Sequence, residues 1–159
     1  MDILSIVGNL ASITGLAQQN SELIGKSIKV LFPQKEFKEE IAIVLDITQP
    51  CVNNVEKYLK SKNIDASIIS ISKKDGTRVL DPYNREEWEN IVKEYSRLIN
   101  SIYEKCAPTK LHTFFSAPSS LTFCIGCVIR TLHRPYIYQF NNTTQMYDCV
   151  LIATDELRY

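Results

Sequence analysis

The run Leu111-His-Thr-Phe-Phe-Ser-Ala-Pro-Ser-Ser-Leu-Thr-Phe-Cys-Ile-Gly-Cys-Val-Ile129 decides the fold of this chain. Its opening is a buried-strand pattern, Ser116-Ala117 is a tight turn, and the apolar remainder is a helix that starts on Pro118. Proline is tolerated at the first helical position because its missing N–H would have no intrahelical partner there. A strand, a turn and a helix in that order leave backbone N–H groups free at the strand's carboxyl end, where α/β proteins bind phosphate-bearing ligands. A second unit of the same kind stands upstream, Ile41-Ala-Ile-Val-Leu-Asp-Ile-Thr-Gln-Pro50 followed by a polar–apolar helical pattern. Two such units predict one shared crevice.

Working outward, the pattern reads as a strand over residues 41–47, a helix over 51–62 and a strand over 66–72, the spacing of a parallel βαβ unit. Lys73 to Thr77 reads as a solvent turn. Trp88, Ile91, Val92, Tyr95, Leu98, Ile99 and Ile102 then recur at threes and fours, with Arg85, Glu86, Glu89, Glu94 and Arg97 on a solvated face. A strand over 110–115, a helix over 118–132, a strand over 135–140 and an antiparallel strand over 147–154 complete the reading. Residues 21–40 are a charged connector whose Ile28, Val30, Leu31 and Phe32 suit an edge strand or a helix end. The fold class is therefore α/β, a three-layer sandwich with a mostly parallel sheet of order 2-1-3-4. The switch point lies between strands one and three, and its turns are Thr48-Gln49-Pro50-Cys51 and Ser116-Ala117-Pro118-Ser119-Ser120. Their hydroxyls suit phosphates or nucleobase edges; each alone equally suits a helix N-cap.

Composition narrows the classes. At 159 residues the chain suits one globular domain. Eighteen basic and eighteen acidic residues cancel, which excludes bulk electrostatic binding to duplex nucleic acid. Five cysteines without a paired framework point to a reducing, cytoplasmic setting. The first residues lack the basic segment and continuous apolar core of a signal peptide. No cofactor motif and no metal set is present; Asp46 at a strand end is a lone carboxylate.

Residues 3–21 carry no charge, and Ile3, Ile6, Leu10, Ile13 and Ala17 recur at heptad spacing. This predicts an amphipathic N-terminal helix over residues 1–20, too polar for one copy to span a bilayer. It packs on its own domain or self-associates through that stripe. Membrane association on activation is the weaker reading, since the polar face lacks Lys and Arg.

The segment His112-Thr-Phe114, leading into Ala117-Pro118, an apolar helix containing Gly126 and the strand Tyr136-Ile-Tyr138, resembles the signature of SAVED domains. The likeness extends over residues 41–153. Those domains are Rossmann-like, related to CARF domains, and sense cyclic oligonucleotides made during antiphage defence in CBASS and type III CRISPR systems. The resemblance implies a single CARF-like half over residues 41–159. Its pocket would be Thr48, Gln49, Pro50, Ser116, Ala117, Pro118 and Ser119, with Gln139 and Asn141 at the rim. Full SAVED domains contain two such halves and are usually fused to an effector. The resemblance thus implies a homo-oligomer, in its extended form a filament, and a separate effector protein or output through the N-terminal helix.

Cys124-Ile-Gly-Cys127 reads as a buried helix face rather than a zinc or redox site. His112 and His133 lack a local carboxylate or nucleophile partner, which argues against a hydrolytic triad. Arg130 and Arg134 suit phosphate neutralisation or a solvated helix end. Three classes of function follow. The first is a cyclic-oligonucleotide sensor without enzyme activity that responds by assembling. The second is an enzyme of the same fold, such as a ring nuclease, and the third a structural protein assembling through its N-terminal helix.

Overall fold

The computed structural model describes residues 22–24, 27–32, 37–129 and 134–153. Its centre is β3, Glu40–Asp46. Ile41, Ala42, Ile43, Val44 and Leu45 are each 0% exposed. An unbroken apolar run of this kind belongs to a parallel strand covered on both faces. On one side β3 pairs in parallel with β4, Ala66–Lys73, and on the other with β5, Lys110–Ser116. β6, Tyr136–Asn141, continues in parallel beside β5, and β7, Met146–Ile152, closes that edge antiparallel to β6. Counted from residue 40 onward, the parallel strands stand in the order 2-1-3-4.

The helices follow from that order. α1, Val52–Ser61, links β3 to β4; α2, Arg85–Cys106, carries the chain back past β3 to β5; α3, Ser119–Ile129, links β5 to β6. Right-handed crossovers place helices on opposite faces when the chain reverses its direction across a sheet. On one face the buried stripes of α2 and α3 (Ile91, Tyr95, Leu98, Ile99, Ile102, Leu121, Ile125) pack on Ile41, Ile43, Leu45, Ile69, Ile71 and Leu111. On the other, Val55, Tyr58 and Leu59 of α1 pack on Ala42, Val44 and an aromatic group of Phe114, Tyr138 and Tyr147. There Phe114 and Tyr138 stack with centroids 4.4 Å apart. Asn84 caps α2 by accepting from the Glu87 amide, and Ala107, in the left-handed region at φ 41°, ends it before Pro108.

Of the two readings of the apolar patch in residues 21–40, a strand or a helix end, the strand is the one formed, although it does not lie at the edge of the sheet. β1, Glu22–Ile24, and β2, Ile28–Leu31, extend the sheet beyond β4, both pairings antiparallel. The reason lies in α2, where Glu94, placed on the solvated face in the sequence reading, is buried. Its carboxylate accepts from the amides of Ser27 at 3.1 Å and Ile28 at 3.0 Å and so anchors the start of β2. Lys73 is likewise buried, not in a solvent turn: its Nζ donates to the Val79 carbonyl at 2.6 Å and pairs with Glu87 at 2.7 Å. Cys124 and Cys127 are exposed. The inward stripe of α3 is Leu121 and Ile125, four apart, which turns both cysteines and Phe123 outward.

Ile3, Ile6, Leu10, Ile13 and Ala17, and with them the expected N-terminal helix, lie outside the described residues, as do Arg130 and His133. Among the described residues no helix is long and apolar enough to cross a membrane.

Candidate functional site

The carboxyl ends of β3 and β5 lie side by side, with Asp46 and Ser116 as register partners. Ser116 joins the two turns. Its carbonyl accepts from the amides of Ile47 at 2.9 Å and Thr48 at 2.8 Å. Its Oγ accepts from the Gln49 amide at 3.0 Å and lies 3.2 Å from Thr48 Oγ1. The next amide, of Cys51, donates to Asp46 Oδ1 at 3.1 Å. Pro50 has no amide hydrogen, so every backbone amide from Ile47 to Cys51 is already engaged. The β3–α1 turn is closed.

The β5–α3 turn is different. The first bond of α3 runs from the Thr122 amide to the Pro118 carbonyl at 3.1 Å. The amides of Ala117, Ser119 and Ser120 meet no acceptor among the described residues. Ser119 and Ser120 are exposed, and Ala117 and Pro118 half-buried. An eleven-residue helix thus presents open N–H groups and the positive end of its dipole toward solvent beside the hydroxyls of Thr48 and Ser116.

Thr48, Gln49, Pro50, Ser116, Ala117, Pro118 and Ser119 are brought to one end of the sheet. Gln139 is exposed on β6. Asn141 is committed to the β6–β7 hairpin: Nδ2 donates to Asp148 at 2.9 Å, and Oδ1 accepts from the amides of Thr143 at 2.9 Å and Thr144 at 3.3 Å. Arg134 precedes β6 and so stands at the opposite, amino end of the parallel strands.

Arg78, in the loop after β4, is a cation at this crevice that the sequence reading overlooked. Its Nη1 donates to the Asp46 carbonyl at 2.7 Å and lies 3.0 Å from Oδ1, while Nη2 donates to Oδ2 at 3.3 Å. No periodicity marks Arg78. The topology does, because the loops after β3, β4 and β5 all emerge at one end of the sheet. Beside it, Cys51 is buried, and desolvation followed by the Asp46 charge pushes its thiol up to about 12, so it stays protonated and inert as a nucleophile.

The amino end of the same strands carries a closed polar network. His112 is buried, with Nδ1 2.7 Å from the Tyr138 hydroxyl and Nε2 2.9 Å from Glu40, which also pairs with Lys110 at 2.8 Å. This corrects the reading of His112 as lacking a carboxylate: its partner lies 72 residues away in sequence. Burial holds the His112 imidazole below its ordinary value despite Glu40, and the Lys110 hydrogen bond holds the Glu40 carboxyl low. Among the described residues no cluster of His, Cys, Asp or Glu is able to hold a metal ion.

Together these features define a Rossmann-like α/β domain with a crevice at its switch point. The sequence model of the SAVED family, the SMODS-associated and fused to various effectors sensor domain, matches residues 18–152, and the chain belongs to that family. Two similar solved structures are of the Acinetobacter baumannii Cap4 SAVED/CARF-domain containing receptor, one with the cyclic trinucleotide 3'3'3'-cAAA and one with 2'3'3'-cAAA. Both align with a TM-score of 0.68, at 12% and 13% identity, over 84% of this chain. The aligned part is 29% of the receptor, so the chain matches less than a third of that protein. A search of curated proteins returns no match.

Proposed function

We propose that this chain binds a cyclic oligonucleotide at the carboxyl ends of β3 and β5, as a sensor in antiphage defence. The observation that carries this reading is the open N-terminus of α3 beside the Ser116 and Thr48 hydroxyls at the switch point. Membership of a sensor-domain family and the receptor's cyclic trinucleotides supply the ligand class. Backbone amides suit a phosphodiester, because they supply fixed donors and partial positive charge without a protonation equilibrium. A net charge of zero fits selection of a small anion over a long polyanion.

The reading extends to assembly. One half-domain presents one set of turns to a ring of similar nucleotides, so a second copy supplies the complementary set and the ligand promotes association. Output then runs through a separate effector or through the uncharged N-terminal stripe. A thermal-shift screen of cyclic di-, tri- and tetranucleotides tests the binding. One ring class raises the melting temperature in a concentration-dependent way; no shift with any ring overturns the reading. Chromatography of the recovered ligand separates retention from ring cleavage. Sedimentation with and without ligand tests association, and a monomer saturated with ligand counts against it. Deleting residues 1–20 spares binding and abolishes higher-order assembly.

A further inference from the structure

We propose that Arg78 is a ligand-contacting residue of this crevice, gripping a phosphodiester through its outer edge, and that Asp46 is the residue that positions it. The inference rests on the cyclic-oligonucleotide reading above. A guanidinium has five N–H donors in a fixed plane. The paired nitrogens Nη1 and Nη2 meet the two carboxylate oxygens of Asp46, and Nη1 also reaches the Asp46 carbonyl. Two hydrogen bonds are thereby made, one from each nitrogen, with Nη1 also held close to Oδ1 by charge. Among the donors left over, that on Nε and that on the outer side of Nη2 are parallel neighbours and meet no other group among the described residues. That pair is the fork that matches two oxygens of one phosphate.

Place and exposure agree with this role. Asp46 is the last residue of β3 and the register partner of Ser116, the residue that joins the two turns. Its carboxylate is also fixed by the Cys51 amide, so the clamp on Arg78 is itself immobilised. The Arg78 side chain is 39% exposed whereas that of Asp46 is 10% exposed. The anchored edge faces inward and the guanidinium still reaches solvent. A surface ion pair built only for stability contributes little. Here the geometry instead pre-orients a cation whose second edge is unused, so binding loses less side-chain entropy.

The test titrates the whole chain with 3'3'3'-cAAA and with cyclic di- and tetra-adenylate at several salt concentrations, in parallel with Arg78→Gln and Arg78→Lys. Arg78→Gln is expected to weaken binding roughly 10- to 100-fold, the range for loss of a charge-assisted hydrogen bond. It also flattens the dependence of log affinity on log salt by about 0.7, one phosphate contact on a single strand. Arg78→Lys restores the slope but only part of the affinity. Phenylglyoxal modification of the unmutated chain, mapped by mass spectrometry, needs no variant and decides the matter if Arg78→Gln fails to fold: saturating ligand slows modification of Arg78. Binding by the unmutated chain with unchanged affinity and slope in Arg78→Gln, or an unchanged modification rate at Arg78, overturns the role of Arg78 alone. Absence of binding by the unmutated chain to any of the three rings overturns the ligand reading and this inference with it.

Discussion

The two strand–turn–helix units look alike in sequence and do opposite things. After β3 the turn directs every available amide inward, onto the carbonyl and hydroxyl of Ser116 and the carboxylate of Asp46. After β5 the amides of Ala117, Ser119 and Ser120 remain without acceptors among the described residues. The first turn is a bracket that fixes the second. Matched strand–turn–helix spacing therefore identifies where a site lies but not which of its donors a ligand receives, because that depends on cross-strand bonds between residues nearly 70 positions apart.

The change with the largest expected effect strikes the open turn. Ser119→Glu places a carboxylate where the ligand's phosphate would sit, and like-charge juxtaposition of this kind costs several kcal/mol, roughly a 100-fold or greater loss of affinity. The melting temperature stays unchanged, since an acid in the first turn suits a helix N-terminus. Unaltered affinity in that variant breaks the contrast between the turns.

A smaller effect is expected at the amino end, where the polar groups are already mutually satisfied. His112→Ala removes the imidazole from the Tyr138 hydroxyl and from Glu40 Oε2, leaving Glu40 paired with Lys110 alone. Removing a partner from such groups costs about 2 kcal/mol, measurable by denaturant unfolding, while ligand affinity holds. The pH dependence has a definite sign. The folded chain holds the His112 imidazole below its ordinary 6.5, beside Glu40, Lys110, Tyr136 and Tyr138. The unfolded chain then binds the extra proton, so this contribution is complete above about pH 6.5 and is lost as pH falls below it. Glu40, also held low, adds a second loss as pH falls below its ordinary 4.5. Melting curves between pH 7.5 and 5, flat for the His112 variant and sloped for the unmutated chain, check the first window.

Smaller again is Ser116→Ala, which removes the acceptor of the Gln49 amide and the partner of Thr48. The cost is about 1 kcal/mol of stability, with a several-fold loss of affinity because the bracket loosens. The smallest effect lies far from both turns. The Tyr95 hydroxyl is buried and has no partner among the described residues, so Tyr95→Phe is neutral or stabilises by up to about 1 kcal/mol and leaves binding untouched.

Much of this architecture was legible because apolar periodicity is a local signal. The runs at residues 41–47 and 110–115 are buried strands, and the threes-and-fours stripe from Trp88 to Ile102 is the inward face of α2. What escaped was non-local. The strand at residues 28–31 was one of two readings, but its anchor was not: Glu94 on α2 accepts from the amides of Ser27 and Ile28 where β2 begins. His112 meets Glu40 only through the parallel register of β3 and β5. Arg78 lies in a loop without periodicity and gains its position from Asp46. The outward face of α3 was misread for a different reason: a helix apolar on all sides gives no clue to which stripe is inward until Leu121 and Ile125 are seen against the core.

In the proposed function the open turn, not the closed one, receives the ligand. The direct measurement is a backbone amide NMR titration of the whole chain with the cyclic oligonucleotide that gives the largest thermal shift. The expected result is that the amide resonances of Ala117, Ser119 and Ser120 move to saturation together and exchange more slowly with solvent, while those of Thr48 and Gln49, bonded to Ser116 throughout, move little. Saturable binding in which Thr48 and Gln49 respond and Ala117, Ser119 and Ser120 do not would contradict it.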